Sequence, residues 1–195
     1  MARTNRERTE TTRLALIEAA RALFVGQGYG DTSTPEIATA AGVTRGALYH
    51  HFVDKRDLFR QVLQREGEAV AADIEAVTPD RLSPREALLE GSRAYLDAMM
   101  VPGRTRLLLI DGPAVLGTAE LQALDDATSA RTLRQGLEQA GAGRGEVALD
   151  ALAPLLAAAF DRAALAIDAG ADAAETRAAM AWLLERTLKG ANPDE

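Results

Sequence analysis

The stretch from Ser33 to Lys55 constrains the fold more than any other, because each of its helical boundaries carries its own punctuation. Ser33 and Glu36 have the spacing of a capping box, in which a hydroxyl and a carboxylate each satisfy a free backbone N–H. Pro35 falls in the first turn, where its missing N–H costs little. Gly42 suits the left-handed residue that closes a helix. Thr44 caps a second helix, and Asp54 followed by Asp57 caps a third. Ile37, Ala38, Val43 and Leu48 supply the buried side. Thr34, Thr44, Arg45, Tyr49, His50, His51 and Lys55 stay available outside. The pattern predicts a helix-turn-helix whose second helix can enter the major groove of DNA. A bare helix–Gly–helix would favour a corner of a helical bundle. Three caps and a clustered polar-aromatic face argue for DNA.

The remainder of the chain supports an all-α fold. Of its 195 residues 47% are hydrophobic and only 4% aromatic, and much of the apolar content is Ala and Leu, which favour helices. No alternating β-branched run reads as a strand. The absence of cysteine excludes disulfides, thiol catalysis and cysteine-ligated zinc, and fits a cytoplasmic protein. No stretch is apolar enough to span a bilayer, and residues 1–12 are too polar for a signal peptide. No phosphate loop, metal-ligand cluster or paired nucleophile and base is present. Carboxylates such as Asp125-Asp126 are read as exposed, so neither catalysis nor a cofactor is expected. The adjacent His50 and His51 point about 100° apart on a helix, a poor arrangement for sharing a metal.

A net charge of −7 seems to oppose DNA binding, but its distribution does not. Residues 1–60 carry 9 Lys/Arg against 7 Asp/Glu, and residues 61–195 carry 13 against 22. Phosphate affinity depends on local contacts rather than global charge.

Along the chain, Arg3, Arg6 and Arg8 suggest a flexible basic arm able to reach phosphates, or simply a solvated terminus. A first helix is expected from about Thr9 to Gly28, with Leu14, Ile17, Leu23 and Phe24 inward and Gly26, Gly28 and Gly30 ending it. The third capped helix, Lys55 to Val77, packs Leu58, Phe59, Val62 and Leu63 on the DNA-binding unit. It then passes into a polar run with Glu66, Glu68, Asp73 and Glu75. Thr78-Pro79-Asp80 breaks it, and Ser83, Pro84 and Glu86 open the next helix. Leu88, Gly91, Ser92, Tyr95, Ala98 and Met99 share one side of that helix; Glu86, Glu90, Arg93 and Asp97 share the other. Pro102-Gly103 ends it. A short apolar segment from Arg104 to Ile110 is closed by Asp111-Gly112-Pro113. One long helix is expected over Thr118–Ala140, with Leu121, Leu124, Leu133 and Leu137 inward, then a glycine loop over Gly141–Gly145.

Asp150 is expected to cap a helix reaching Ala169, with Leu152, Leu155, Leu156, Ala159, Phe160, Ala163 and Ile167 as its stripe and Pro154 awkwardly near its start. Gly170 stops it. Asp172 opens the last helix, with Ala178, Ala181, Trp182, Leu184 and Leu188 packing, and Gly190 and Pro193 mark a loose tail. These last two helices, rich in small residues, could close a four-helix bundle with a second copy, or pack only within the chain. Two half-sites on DNA favour a homodimer.

The arrangement resembles the TetR family of transcriptional regulators. The resemblance is strongest from Leu14 to Val62. It rests on Glu36-Ile37-Ala38, Ala41-Gly42-Val43-Thr44 and Leu48-Tyr49-His50-His51-Phe52 followed by Lys55 and Leu58. The segment Leu107–Gly117 is similar to one in a branch of the family. The resemblance implies about nine helices, with a DNA-binding domain over 1–60 and a helical ligand-binding and dimerisation domain over 61–195. It also implies a homodimer closed by the last two long helices, with repression of a DNA operator relieved by a small-molecule effector. A ligand-independent regulator or an activator is the alternative.

Within the recognition helix, Arg45 can pair with the O6/N7 edge of a guanine, Gly46 lets the backbone approach, and Ala47 can touch a thymine methyl. Thr34 and Thr44 can add hydroxyl or amide contacts at helix N-termini. Tyr49, His51 and Lys55 match family positions that hold phosphates, whereas His50 can face the protein. A ligand pocket could draw on Ser92, Tyr95 and Met99 from one helix, Arg106 and Asp111 flanking the apolar run, and Phe160.

Overall fold

The computed structural model describes residues 5–78, 81–142 and 147–191. Arg3, Pro79-Asp80, the glycines at 143 and 145 and Pro193 lie outside them. Among the described residues the chain forms ten helices: α1 (Asn5–Asp31), α2 (Thr34–Ala40), α3 (Arg45–His51), α4 (Lys55–Val77), α5 (Pro84–Met99), α6 (104–116), α7 (Thr118–Asp126), α8 (Ser129–Gln139), α9 (Leu149–Asp168) and α10 (Ala173–Ala191). No strand occurs among them. They belong to two compact units. One is built from the chain up to Glu66 together with Arg106–Thr118, the other from Gly67–Thr105 and the chain from Ala119 onward.

In the first unit α1 packs on α2, α3 and the middle of α6. Its core holds Leu16, Ala20, Phe24, Ile37, Leu48, Phe52, Leu58 and Phe59, with the Phe24 and Phe59 rings edge-to-face at 5.1 Å. Helix α1 begins at Asn5 rather than Thr9, so Arg6 and Arg8 are helical and not part of a loose arm. Glu7 in the first turn complements the helix dipole, and the hydroxyls of Thr11 and Thr12 bond back to the carbonyls of Glu7 and Arg8. The helix runs through Gly26 and breaks only at Gly28 (φ 86°, ψ 162°), a conformation reserved in practice for glycine. Glu66 is buried and takes the Arg21 guanidinium at 2.8 and 3.2 Å.

Helix α6 does not stop at Gly112-Pro113. An α turn, Arg104–Arg106, passes into a π-helical stretch, Leu107–Asp111, and an α segment, Gly112–Leu116, closed by Gly117 at φ 82°. Pro113 lacks an N–H and would clash with the carbonyl four residues back, and the wider π turn accommodates that mismatch. The Arg56 guanidinium bonds to the carbonyls of Val115 (3.4 Å) and Leu116 (3.1 Å), holding the end of this segment on α4.

In the second unit α5 packs on α8, α9 and α10, and α9 packs on α8 and α10. The expected helix over 118–140 is two helices, which raises the count from nine to ten. The break falls at Thr128 (φ −129°, ψ −111°), whose buried hydroxyl returns to the carbonyls of Leu124 and Asp125. Gly67 of α4 makes room for Thr128; a Cβ there would lie 3.0 Å from Thr128 Oγ1. Asp150 does not cap α9. It sits in the first turn and pairs with Arg134 at 2.6 Å, while Ala148 holds the cap position without a side-chain bond. Pro154 is carried inside the helix.

The Ser83–Glu86 capping box and the Asp172 cap form as expected. Gly190 does not open a tail, since α10 runs to Ala191. Leu155 and Trp182, expected to pack, are 70% and 59% exposed. Ala178 is exposed too, and Met180, Leu184 and Leu188 do the packing instead.

Candidate nucleic-acid interface and internal cavity

The helix-turn-helix is assembled by local bonds. Ser33 Oγ accepts from Glu36 N, and the Glu36 carboxylate accepts from Ser33 N at 2.8 Å, starting α2. The Ser33 hydroxyl, which donates to the same carboxylate at 2.6 Å, and then the Ser33 N–H hold the carboxyl below the usual glutamate range. Gly42 turns the chain at φ 68°. Thr44 Oγ1 accepts from Ala47 N at 3.2 Å, starting α3, and Asp54 Oδ1 accepts from Asp57 N at 2.7 Å, starting α4. Each cap is worth about 1 kcal/mol. Together they aim α3 with Leu48 as its only fully buried residue.

The outward face of α3 is one connected surface. Tyr49 is 44% exposed, its hydroxyl shares a 3.0 Å hydrogen bond with Thr34 Oγ1, and the Arg45 guanidinium lies over its ring at 5.5 Å. The bonds from Thr34 and Arg45 to the phenol hold its pKa below the usual tyrosine value. Arg45 and Gly46 are exposed and Ala47 is partly covered. A Cβ on Gly46 would meet only Thr44 Oγ1, at 3.8 Å, so its missing side chain leaves open surface rather than relieving a clash. His50 is exposed rather than turned to the protein. Partial burial, then the neighbouring His50 and Arg13, hold His51 below the usual histidine range, so at neutral pH it offers an N–H rather than a full charge.

Lys55 is placed differently from the other outward residues. Its ammonium donates to the carbonyls of Tyr29 (2.8 Å) and Thr32 (2.9 Å), reaches Gly30 O at 3.5 Å, and stacks 4.2 Å over the Tyr29 ring. It ties the start of α4 to the α1–α2 connection.

The second unit contains a partly open cavity of about 260 Å³. Of the six expected pocket residues, Ser92, Tyr95 and Phe160 line it. Met99 borders a separate cleft with Leu96 and Ile167. Arg106 and Asp111 belong to the first unit, where they pair with each other at 3.3 Å.

Of the polar core of the cavity, the sequence showed Tyr95 but not Asp125, Ser129 or Asp161. Tyr95 donates its hydroxyl to Asp161 Oδ1 at 2.6 Å, and Ser129 Oγ donates to Asp125 Oδ1 at 2.6 Å. Asp125, expected to be exposed, is partly buried, and that burial pushes its carboxyl up. Burial first and the Asp125 charge also raise Asp161, and burial with the Asp161 charge raises Tyr95 well above the usual phenol range. Asp161 left a legible signal, as an acid beside Phe160 in the middle of an Ala/Leu-rich helix. Among the described residues no group of three His, Cys, Asp or Glu is arranged to hold a metal, and no helix is long and apolar enough to cross a membrane.

Comparison with known proteins agrees with this architecture. The family profile described as "Bacterial regulatory proteins, tetR family" matches residues 16–62, and "Tetracyclin repressor-like, C-terminal domain" matches residues 85–191. The HTH-type transcriptional regulator AcrR of Shigella flexneri is 37% identical over 110 residues, 56% of this chain and 51% of that protein. The HTH-type transcriptional repressor BepR of Brucella suis biovar 1 is 46% identical over 65 residues, 33% of this chain and 31% of that protein. The chain thus spans about half or less of these curated relatives. A crystal structure of a TetR-family transcriptional regulator from Pectobacterium atrosepticum superposes with a TM-score of 0.69 at 32% identity, covering 96% of this chain and 97% of that one. With one profile over the helix-turn-helix, a second over more than half of the sequence, and this near full-length counterpart, the chain belongs to the TetR family of bacterial transcriptional regulators.

Proposed function

We propose that this DNA-binding regulator, which is not an enzyme, acts as a homodimeric repressor released from a palindromic operator by a small molecule. The observation that carries the reading is the cavity. Its wall includes Ile74, Glu75 and Thr78, at the end of the α4 chain segment, whose first residue, Lys55, directly follows the recognition-helix region. A ligand gripping that end acts on a helix whose first part belongs to the DNA-binding unit. It need favour the non-binding arrangement of the two recognition helices by only about 1–3 kcal/mol.

Dimerisation has its own support. Ala151, Leu155, Ala158 and Arg162 lie exposed along one side of α9, and Glu175, Ala179, Trp182 and Arg186 along one side of α10, at steps of four, three and four. Exposed Leu and Trp among small residues suit close packing against a second copy. On DNA, Arg45 reads a guanine, Gly46 and Ala47 allow close approach, and Thr34, Thr44, Tyr49 and His51 meet phosphates. Lys55 adds positive charge while positioning α4.

The test uses the full chain, DNA from the region flanking its own coding sequence, and a small-molecule library. The reading requires two chains per palindromic site and a compound that both raises Tm and lowers operator affinity. A monomer on DNA, or operator affinity unmoved by every compound that raises Tm, would overturn it.

A further inference from the structure

The charge of the cavity wall identifies the kind of molecule it takes. Three lining residues are carboxylic acids, the partly buried Asp125 and Asp161 of α7 and α9 and the exposed Glu75 of α4, and among the described residues no Lys, Arg or His lines it. Among the described residues neither Asp125 nor Asp161 has a cationic partner; their side chains are bonded by the Ser129 and Tyr95 hydroxyls. A carboxylate has about four acceptor sites, so one hydroxyl leaves Asp161 far from saturated. Partly burying carboxylates without a counter-charge carries a desolvation cost, and a cation placed between them relieves it.

The aromatic residues point the same way. The Tyr95 and Phe160 rings stand edge-to-face with centroids 5.7 Å apart, both against the cavity. Ring faces attract ammonium groups, most strongly when desolvated. Leu88 and Leu133 complete an apolar wall for the rest of the ligand. A volume of about 260 Å³ sits just below the ~300–1,000 Å³ range of small-molecule pockets, which limits the occupant to a compact molecule.

We propose that the cavity binds a small organic cation, its ammonium or amidinium group held by the Asp161 and Asp125 carboxylates against the Tyr95 and Phe160 rings, and its apolar body on Leu88 and Leu133. This rests on the cavity being the effector site. An anion of the same shape meets three like charges and is rejected, and a neutral analogue leaves the carboxylates unpaired.

The test is calorimetric or NMR titration of the full chain with three probes of similar shape: phenethylammonium, phenethyl alcohol and phenylpropionate. The ammonium binds at least tenfold more tightly than the alcohol, and the carboxylate does not bind. Asp161→Asn, which keeps the acceptor for Tyr95, lowers ammonium affinity about tenfold and leaves alcohol affinity unchanged; Asp125→Asn does the same more weakly. Equal or tighter binding of the alcohol or the carboxylate, an unchanged preference in both variants, or no binding of any probe overturns the proposal. Operator release by a neutral compound would keep the repressor reading and remove only this one, whereas ammonium binding without release would do the reverse.

Discussion

The Lys55 ammonium lies 2.8 Å from the Tyr29 carbonyl and 4.2 Å from the centre of its ring, so a residue at the head of α4 secures the end of α1. Lys55→Ala strips a charged donor from the carbonyls of Tyr29 and Thr32 and is expected to cost about 1–2 kcal/mol of stability. It should also weaken binding to operator and random DNA by a similar factor. Thermal denaturation and paired DNA titrations check both effects; selective loss of operator binding would contradict the placement.

Arg45→Ala is expected to act in the opposite way. Arg45 is exposed and outside the core, so Tm should hardly move. Operator affinity should fall by about 1–3 kcal/mol with relaxed preference at one base step. Selection of binding sites from a randomised operator would show the relaxed position.

The Arg21–Glu66 pair is expected to be structural. Glu66→Ala leaves a partly buried guanidinium without that carboxylate, at a cost of about 2–3 kcal/mol after allowing for the exposure that Arg21 retains. Glu66→Gln, which keeps an acceptor, should cost less. Chemical denaturation with an unchanged m-value separates this from a change in the unfolded state.

Gly28→Ala forces a side chain into φ 86°, ψ 162°, with the Arg106 guanidinium 3.1 Å from the new Cβ. A loss of about 2 kcal/mol is expected. Gly46→Ala, in a helix at ordinary φ and in open space, is the control that should not lower Tm and should raise it slightly.

Asp161 should make stability depend on pH in a recognisable direction. Its folded pKa is raised, chiefly by burial, so the folded chain binds the proton more readily than the unfolded chain. Its charge therefore opposes folding at neutral pH, and the penalty is relieved as pH falls through the raised value. Asp161→Asn should raise Tm at neutral pH, with the gain shrinking towards acid. The capping carboxylates Glu36 and Glu86 have lowered values and work the other way, stabilising at neutral pH and losing that effect as pH falls through their folded values. A Tm difference that grew on acidification would refute the assignment for Asp161.

What could be read in the sequence was what short-range chemistry decides. Ser33 with Glu36, Thr44, Asp54 with Asp57, Ser83 with Glu86, and Asp172 act within a turn of themselves, and their helices start where expected. The break at Thr128 depends in part on Gly67, sixty residues away, whose missing side chain admits it. Asp125 looked solvated because only its helix neighbours were in view, whereas its burial comes from packing of the second unit. Arg106 and Asp111 flank the apolar run as anticipated, but both belong to the first unit, whereas every residue lining the cavity belongs to the second. The helix starts of the helix-turn-helix were local and legible; of the walls of a cavity assembled from five helices, Ser92, Tyr95 and Phe160 were read and the rest were not.

Trp182 is the single tryptophan of the chain, and 59% of it is exposed on α10 beneath the Arg186 guanidinium. Its fluorescence therefore reports on that one face and not on the core. Coverage by a second copy should shift emission to the blue on dilution-reversible assembly, while unfolding of the isolated chain should change its colour little. The protein carries its own optical gauge of association, with no label to attach.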